Sequence, residues 1–143
     1  MTGPGKSGTF ALREHTADVA VEATAPTLGG VFAAVADGMA AAMCDEVPPT
    51  GDRHAVSVTA ERPEALLFDY LDELIYERDV RNVLPVDNAA EVTEATDGWR
   101  IEASYRGVAL AEVAARDLKA VTYSEMELSE GPDGWTAYVV FDV

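Results

Sequence analysis

Two stretches of this 143-residue chain carry apolar residues at helical spacing, and most other runs long enough to form an element have the character of strands. Leu28, Val31, Phe32, Val35, Met39 and Met43 fall at offsets 0, 3, 4, 7, 11 and 15, which is one stripe of an α-helix facing a core. Pro26 stops the preceding strand, Thr27 offers an N-cap, and Gly29 and Gly30 weaken the first turn. Pro63 suits the first turn of a second helix, running to about Arg78, with Leu67, Tyr70, Leu71, Leu74 and Ile75 on its inner side. Its other side carries Asp69, Asp72, Glu73 and Glu77 at offsets 0, 3, 4 and 8. Like charges so spaced repel, so this side reads either as a solvated face or as a surface for a basic partner.

Seven strands are expected around these helices. Ala17 to Ala23 alternates small apolar residues with Asp18, Ala20 and Glu22, the period-two pattern of a half-buried strand. Phe10 to Arg13, His54 to Ala60, Val83 to Ala95, Trp99 to Tyr105, Ala120 to Leu128 and Trp135 to Val143 complete the set. Thr96-Asp97-Gly98 and Gly131-Pro132-Asp133-Gly134 supply hairpin turns, while Arg106 to Lys119 is a less regular connection. The order β-β-α-β-α-β-β-β-β predicts an α+β fold, a two-layer sandwich in which both helices pack on one face of a mostly antiparallel sheet. A single domain over residues 9–143 is expected, behind a flexible tail of residues 1–8.

Charge narrows the choice of partner. With 26 acidic against 10 basic residues the net charge is −16, a field that repels nucleic acid as a direct ligand. Cys44 is the sole cysteine, so one chain can build neither a disulfide nor a cysteine-based metal centre, and it reads as a small apolar residue. Neither a signal peptide's apolar run nor a membrane span is visible, which points to the cytoplasm. The chain also lacks a Gly-rich phosphate loop, a His-Glu-x-x-His motif and a Gly-x-Ser-x-Gly elbow, and its only histidines are His15 and His54. An independent enzyme of a common class is not expected.

What remains is carboxylate chemistry. Asp18 interrupts a strand, where aspartate is disfavoured, and is either a polar-face residue or a functional one. Asp142 precedes Val143, so a side-chain carboxylate and a main-chain carboxylate fall within a few ångströms of each other. Two carboxylates so close are solvated, protonated or bridged by a cation. A hard divalent ion would take oxygen from Asp142, Val143 and a third carboxylate, for which Asp18 is the candidate. Lys119 opens its strand and reads as an edge lysine or as a charge partner of those carboxylates.

Four motifs in order, His15-Thr16-Ala17-Asp18, the helix Leu66 to Tyr76, Lys119-Ala120-Val121-Thr122-Tyr123 and Val140-Phe141-Asp142-Val143, resemble the archease family over nearly the whole chain after the tail. The resemblance implies a protein cofactor, not an enzyme, that activates an RtcB-type RNA ligase. It would promote the GTP-dependent guanylylation of that ligase, and so multiple turnover in tRNA splicing and RNA repair. It also implies a divalent metal ion, calcium, magnesium or manganese, on Asp18, Asp142 and Val143, with Lys119 assisting. Ser124 stands where the family often has histidine, and the connection Arg106 to Leu118 lacks the acidic, proline-bearing loop expected there. A stand-alone calcium- or magnesium-binding module without a ligase partner is the alternative.

Overall fold

The computed structural model describes residues 8–15 and 18–143, with side chains for 8–12 and 18–143. Residues 1–7 of the expected tail, together with Thr16 and Ala17, lie outside the described residues. The elements are β1 (Thr9–His15), β2 (Asp18–Ala25), α1 (Leu28–Met43), β3 (Asp52–Ala60), α2 (Pro63–Arg81), β4 (Val83–Ala95), β5 (Gly98–Ala109), β6 (Ala120–Gly131) and β7 (Gly134–Asp142). The order is the one periodicity predicts. A short 3-10 turn at Leu110–Glu112 follows β5.

The α+β class and antiparallel pairing hold, but the strands divide into two sheets instead of forming one. One sheet has the order β1-β2-β7-β6 and the other β3-β5-β4. Both helices touch both sheets: α1 packs on β1, β2, β7 and β4, while α2 packs on β6, β3, β4 and β5. Period-two alternation tells which face of a strand is buried but not which strand lies beside it, so the division is invisible before folding.

Helix α1 begins where Thr27 accepts the Gly30 amide at 3.0 Å. Its apolar stripe is buried as the spacing requires, and Ala33, Ala34, Ala36 and Ala40 are buried as well. A helix buried on nearly all sides needs small residues where two sheets close on it. Gly29 has that role, since a Cβ there would stand 2.5 Å from the Ala90 carbonyl oxygen. Asp37 ties the same helix to an irregular turn of β4, accepting both the amide and the side-chain nitrogen of Asn88 at 2.9 Å.

Helix α2 runs to Arg81, not to Arg78, and stops at Asn82 in the left-handed region (φ 55, ψ 46). Strand β5 continues to Ala109, paired with Val83, so it absorbs the first residues of the expected connection. Strand β7 ends at Asp142 and Val143 follows it.

Candidate metal and partner site

Strand β7 is the hub of the site because β2 and β6 flank it. The β2–β7 register pairs Asp18 with Asp142 and Val19 with Phe141. Phe141 is fully buried and Val19 packs against the core, so the alternation puts Asp18 and Asp142 together on the opposite face of the sheet. The Asp142 carbonyl is turned towards β6, where it accepts the Lys119 amide at 2.8 Å. Across to β2, the Asp18–Asp142 pair is therefore of the closely spaced, non-hydrogen-bonded kind, with Cβ atoms about 5 Å apart. Ala120, the first residue of β6, pairs with Asp142 on the other side.

Three positions marked in the sequence thus meet at one corner. Asp18 is half-buried and Asp142 and Lys119 are exposed; Val143, also exposed, follows directly. Like charges directly opposed weaken a sheet pair, and the donors here are all oxygen, the type of ligand a hard divalent cation takes. Among the described residues no group of three or more His, Cys, Asp or Glu side chains is placed to hold a metal ion. A site at this corner therefore needs an oxygen beyond the two side chains, such as a main-chain oxygen of Val143. Asp18 has further interactions within the fold.

A cleft of about 530 Å³ lies at the opposite end of the sheet, around the β6–β7 turn, lined by Thr24, Ser129, Asp133 and Trp135 among others. A second, of about 360 Å³, is lined by Glu22, Glu127, Thr136 and Tyr138 among others. Neither is lined by Asp18, Lys119 or Asp142.

The acidic side of α2 needs correction. Asp69 and Asp72 are exposed, but Glu77 is buried and accepts the Tyr105 hydroxyl at 2.6 Å and the Arg81 Nε at 2.8 Å. Burial pushes the Glu77 carboxyl up, yet the hydrogen bonds from Tyr105 and Arg81, with the charges of Arg81 and His54, outweigh it and leave the group below its ordinary value. The signal in the sequence was Arg81, four residues on. Glu73 is pushed up by burial and by the charges of Glu77 and Asp72.

Sequence comparison assigns the chain. A model of the Archease protein family (MTH1598/TM1083) matches residues 10–143. The chain belongs to the archease family. Protein archease of Thermococcus gammatolerans is 35% identical over 136 residues, covering 91% of this chain and 95% of that protein. Protein archease of Methanosarcina acetivorans is 32% identical, covering 98% of this chain and 99% of that protein. The solution structure of Methanobacterium thermoautotrophicum protein 1598 superposes with a TM-score of 0.79 at 27% identity, covering 94% of this chain and 98% of that one. The crystal structure of a Thermotoga maritima protein, called an archease and possible chaperone, shares the fold at TM-score 0.64 and 19% identity, covering 92% and 94% of the two chains. In this archease-family chain Ser124 falls in the stretch of β6 between Thr122 and Glu127 where the register with β7 shifts. Beside it, Tyr123 packs on the Phe68 ring at 5.4 Å and accepts the Arg62 guanidinium at 3.3 Å. Among the described residues no helix is long and apolar enough to cross a membrane.

Proposed function

We propose that this chain is a cytoplasmic protein cofactor, not a free-standing enzyme, that activates an RtcB-type RNA ligase. It would promote GTP-dependent guanylylation of the ligase and so its multiple turnover in tRNA splicing and RNA repair. The observation that supports this most is the register that sets Asp18 opposite Asp142, one backbone hydrogen bond from Lys119. An exposed acidic corner suits contact with the basic cleft of a nucleotide-binding partner better than capture of a small substrate of its own. The net charge of −16 leaves the RNA to the ligase.

Asp18, Asp142 and a main-chain oxygen of Val143 would hold a divalent cation, and calcium, magnesium and manganese all accept such oxygen donors. When bound, the ion supplies charge stabilisation to phosphate oxygens. Asp18 and Asp142 would fix where that charge sits, because they are paired across the β2–β7 ladder. Lys119 would add a positive charge at the same corner and help orient nucleotide phosphates.

The test is guanylylation of the ligase with Asp18→Ala, Lys119→Ala and Asp142→Ala protein, after co-purification of the two proteins. Each variant should stay folded and lose stimulation by about tenfold or more, the scale of one lost charge-assisted contact. Parental stimulation by all three would overturn the reading. Tight calcium or magnesium binding without any ligase association would favour the stand-alone module.

A further inference from the structure

Lys119 stands at the end of residues 113–119, a segment with neither helix nor strand, yet its backbone is held on both sides. Its amide donates to Asp142, and the preceding residue, Leu118, is buried with its carbonyl oxygen accepting a 2.7 Å hydrogen bond from Nη1 of Arg78. Arg78 lies on α2 and is itself nine-tenths buried. The same nitrogen touches the Met43 sulfur at 3.4 Å, and the other side of the guanidinium pairs with Asp79 at 3.0 Å. Upstream, the Arg116 amide donates to the Met43 carbonyl at 2.6 Å and its side chain to the Ala42 carbonyl at 3.0 Å, both at the C-terminal end of α1.

Burying a guanidinium is costly, and an apolar residue of similar volume would fill the same space more cheaply. What such a residue could not do is satisfy the buried Leu118 carbonyl. The distribution of charge sharpens the point: in a chain with 26 acidic and 10 basic residues, one arginine is turned inward to grip the peptide immediately before Lys119.

We propose that Arg78 is a positioning residue for Lys119: it fixes the Leu118 carbonyl against α2, so that the lysine leaves a rigid backbone beside Asp142 and not a loose loop. The inference rests on the reading of Lys119 as a functional lysine in ligase activation, and it is separable from that reading by experiment. It requires no contact between Arg78 and the ligase or its nucleotide.

Arg78→Met and Arg78→Lys protein would be compared with the parent by three measurements: amide hydrogen exchange at Lys119 relative to Val139 in β7, thermal unfolding, and the ligase guanylylation rate across a titration of the chain. For Arg78→Met, Lys119 exchange should accelerate by about tenfold or more relative to Val139, as expected when a local opening is eased without global unfolding. The maximal stimulated rate should fall, while the chain concentration giving half-maximal stimulation stays put. Arg78→Lys, which keeps one donor, should recover part of both effects and carries the comparison alone if Arg78→Met fails to fold. Parallel acceleration at Lys119 and Val139, or stimulation that falls only with the folded fraction, would mark Arg78 as a general stabiliser and overturn the proposal. Full stimulation by Lys119→Ala protein would overturn it too, with faster Lys119 exchange in Arg78→Met then showing an anchor without a functional load.

Discussion

Asp142 is opposed by Asp18 across the β2–β7 ladder, two carboxylates on one face of the sheet. Stability and function should therefore separate at this position. Asp142→Asn removes one charge of the pair and keeps the shape, so without divalent ions the midpoint of thermal unfolding should stay level or rise, corresponding to roughly 0–1 kcal/mol. Stimulation of the ligase and calcium affinity should fall together. A loss of stability above that range would show Asp142 to be structural.

Glu77 gives a pH dependence of known sign. Its folded pKa lies below the ordinary value of 4.5, because the hydrogen bonds from Tyr105 and Arg81 outweigh burial. A depressed carboxyl contributes stability that is complete above its unfolded pKa and lost as pH falls through the folded one. Glu77→Gln should cost about 1–3 kcal/mol at neutral pH, and the gap to the parent should narrow as pH drops below about 4.5. Denaturant unfolding at pH 7 and pH 3.5 measures it. Tyr105→Phe should weaken the same contact by about 1 kcal/mol.

Glu73 carries the opposite sign. Burial and the charges of Glu77 and Asp72 hold its carboxyl above the ordinary value, so its ionised form costs stability at neutral pH. Glu73→Gln should gain a few tenths of a kcal/mol at pH 7. The gain should vanish in acid, once the parent carboxyl is protonated in both states. Chemical denaturation over that pH range is the check, and a gain that persists in acid would have another origin.

Gly29→Ala separates helix propensity from packing. Alanine in an exposed helix position would stabilise by about 1 kcal/mol over glycine. Here the added Cβ would meet the Ala90 carbonyl oxygen at 2.5 Å, backbone that cannot swing aside. The variant should lose about 1–2 kcal/mol, since strain of this kind exceeds the propensity gain. Denaturant midpoints decide the sign.

Much of the molecule was readable from local pattern. The stripe from Leu28 to Met43 and the Pro63 start placed both helices, and alternation with two Gly-bearing turns placed the strands, because these signals act over a few residues. Asp18, Lys119 and Asp142 stood out through residue type and position in their strands. Glu77 stood out only as part of an acidic face, with Arg81 as its one local cue, and Arg78 only as a helix end, since a charged residue on a helix gives no local sign that a partner from another element will bury it.

The sequence by itself determined the element order, the net charge of −16 and the residue types available at the corner of β2 and β7. Only the tertiary structure decided that the strands split into two sheets around the helices. It also decided that Asp18 faces Asp142, and that the peptide before Lys119 is gripped from α2. The physical reason is range: periodicity and turn chemistry are local, whereas strand partners, register and the burial of a guanidinium depend on contacts between residues far apart in the chain.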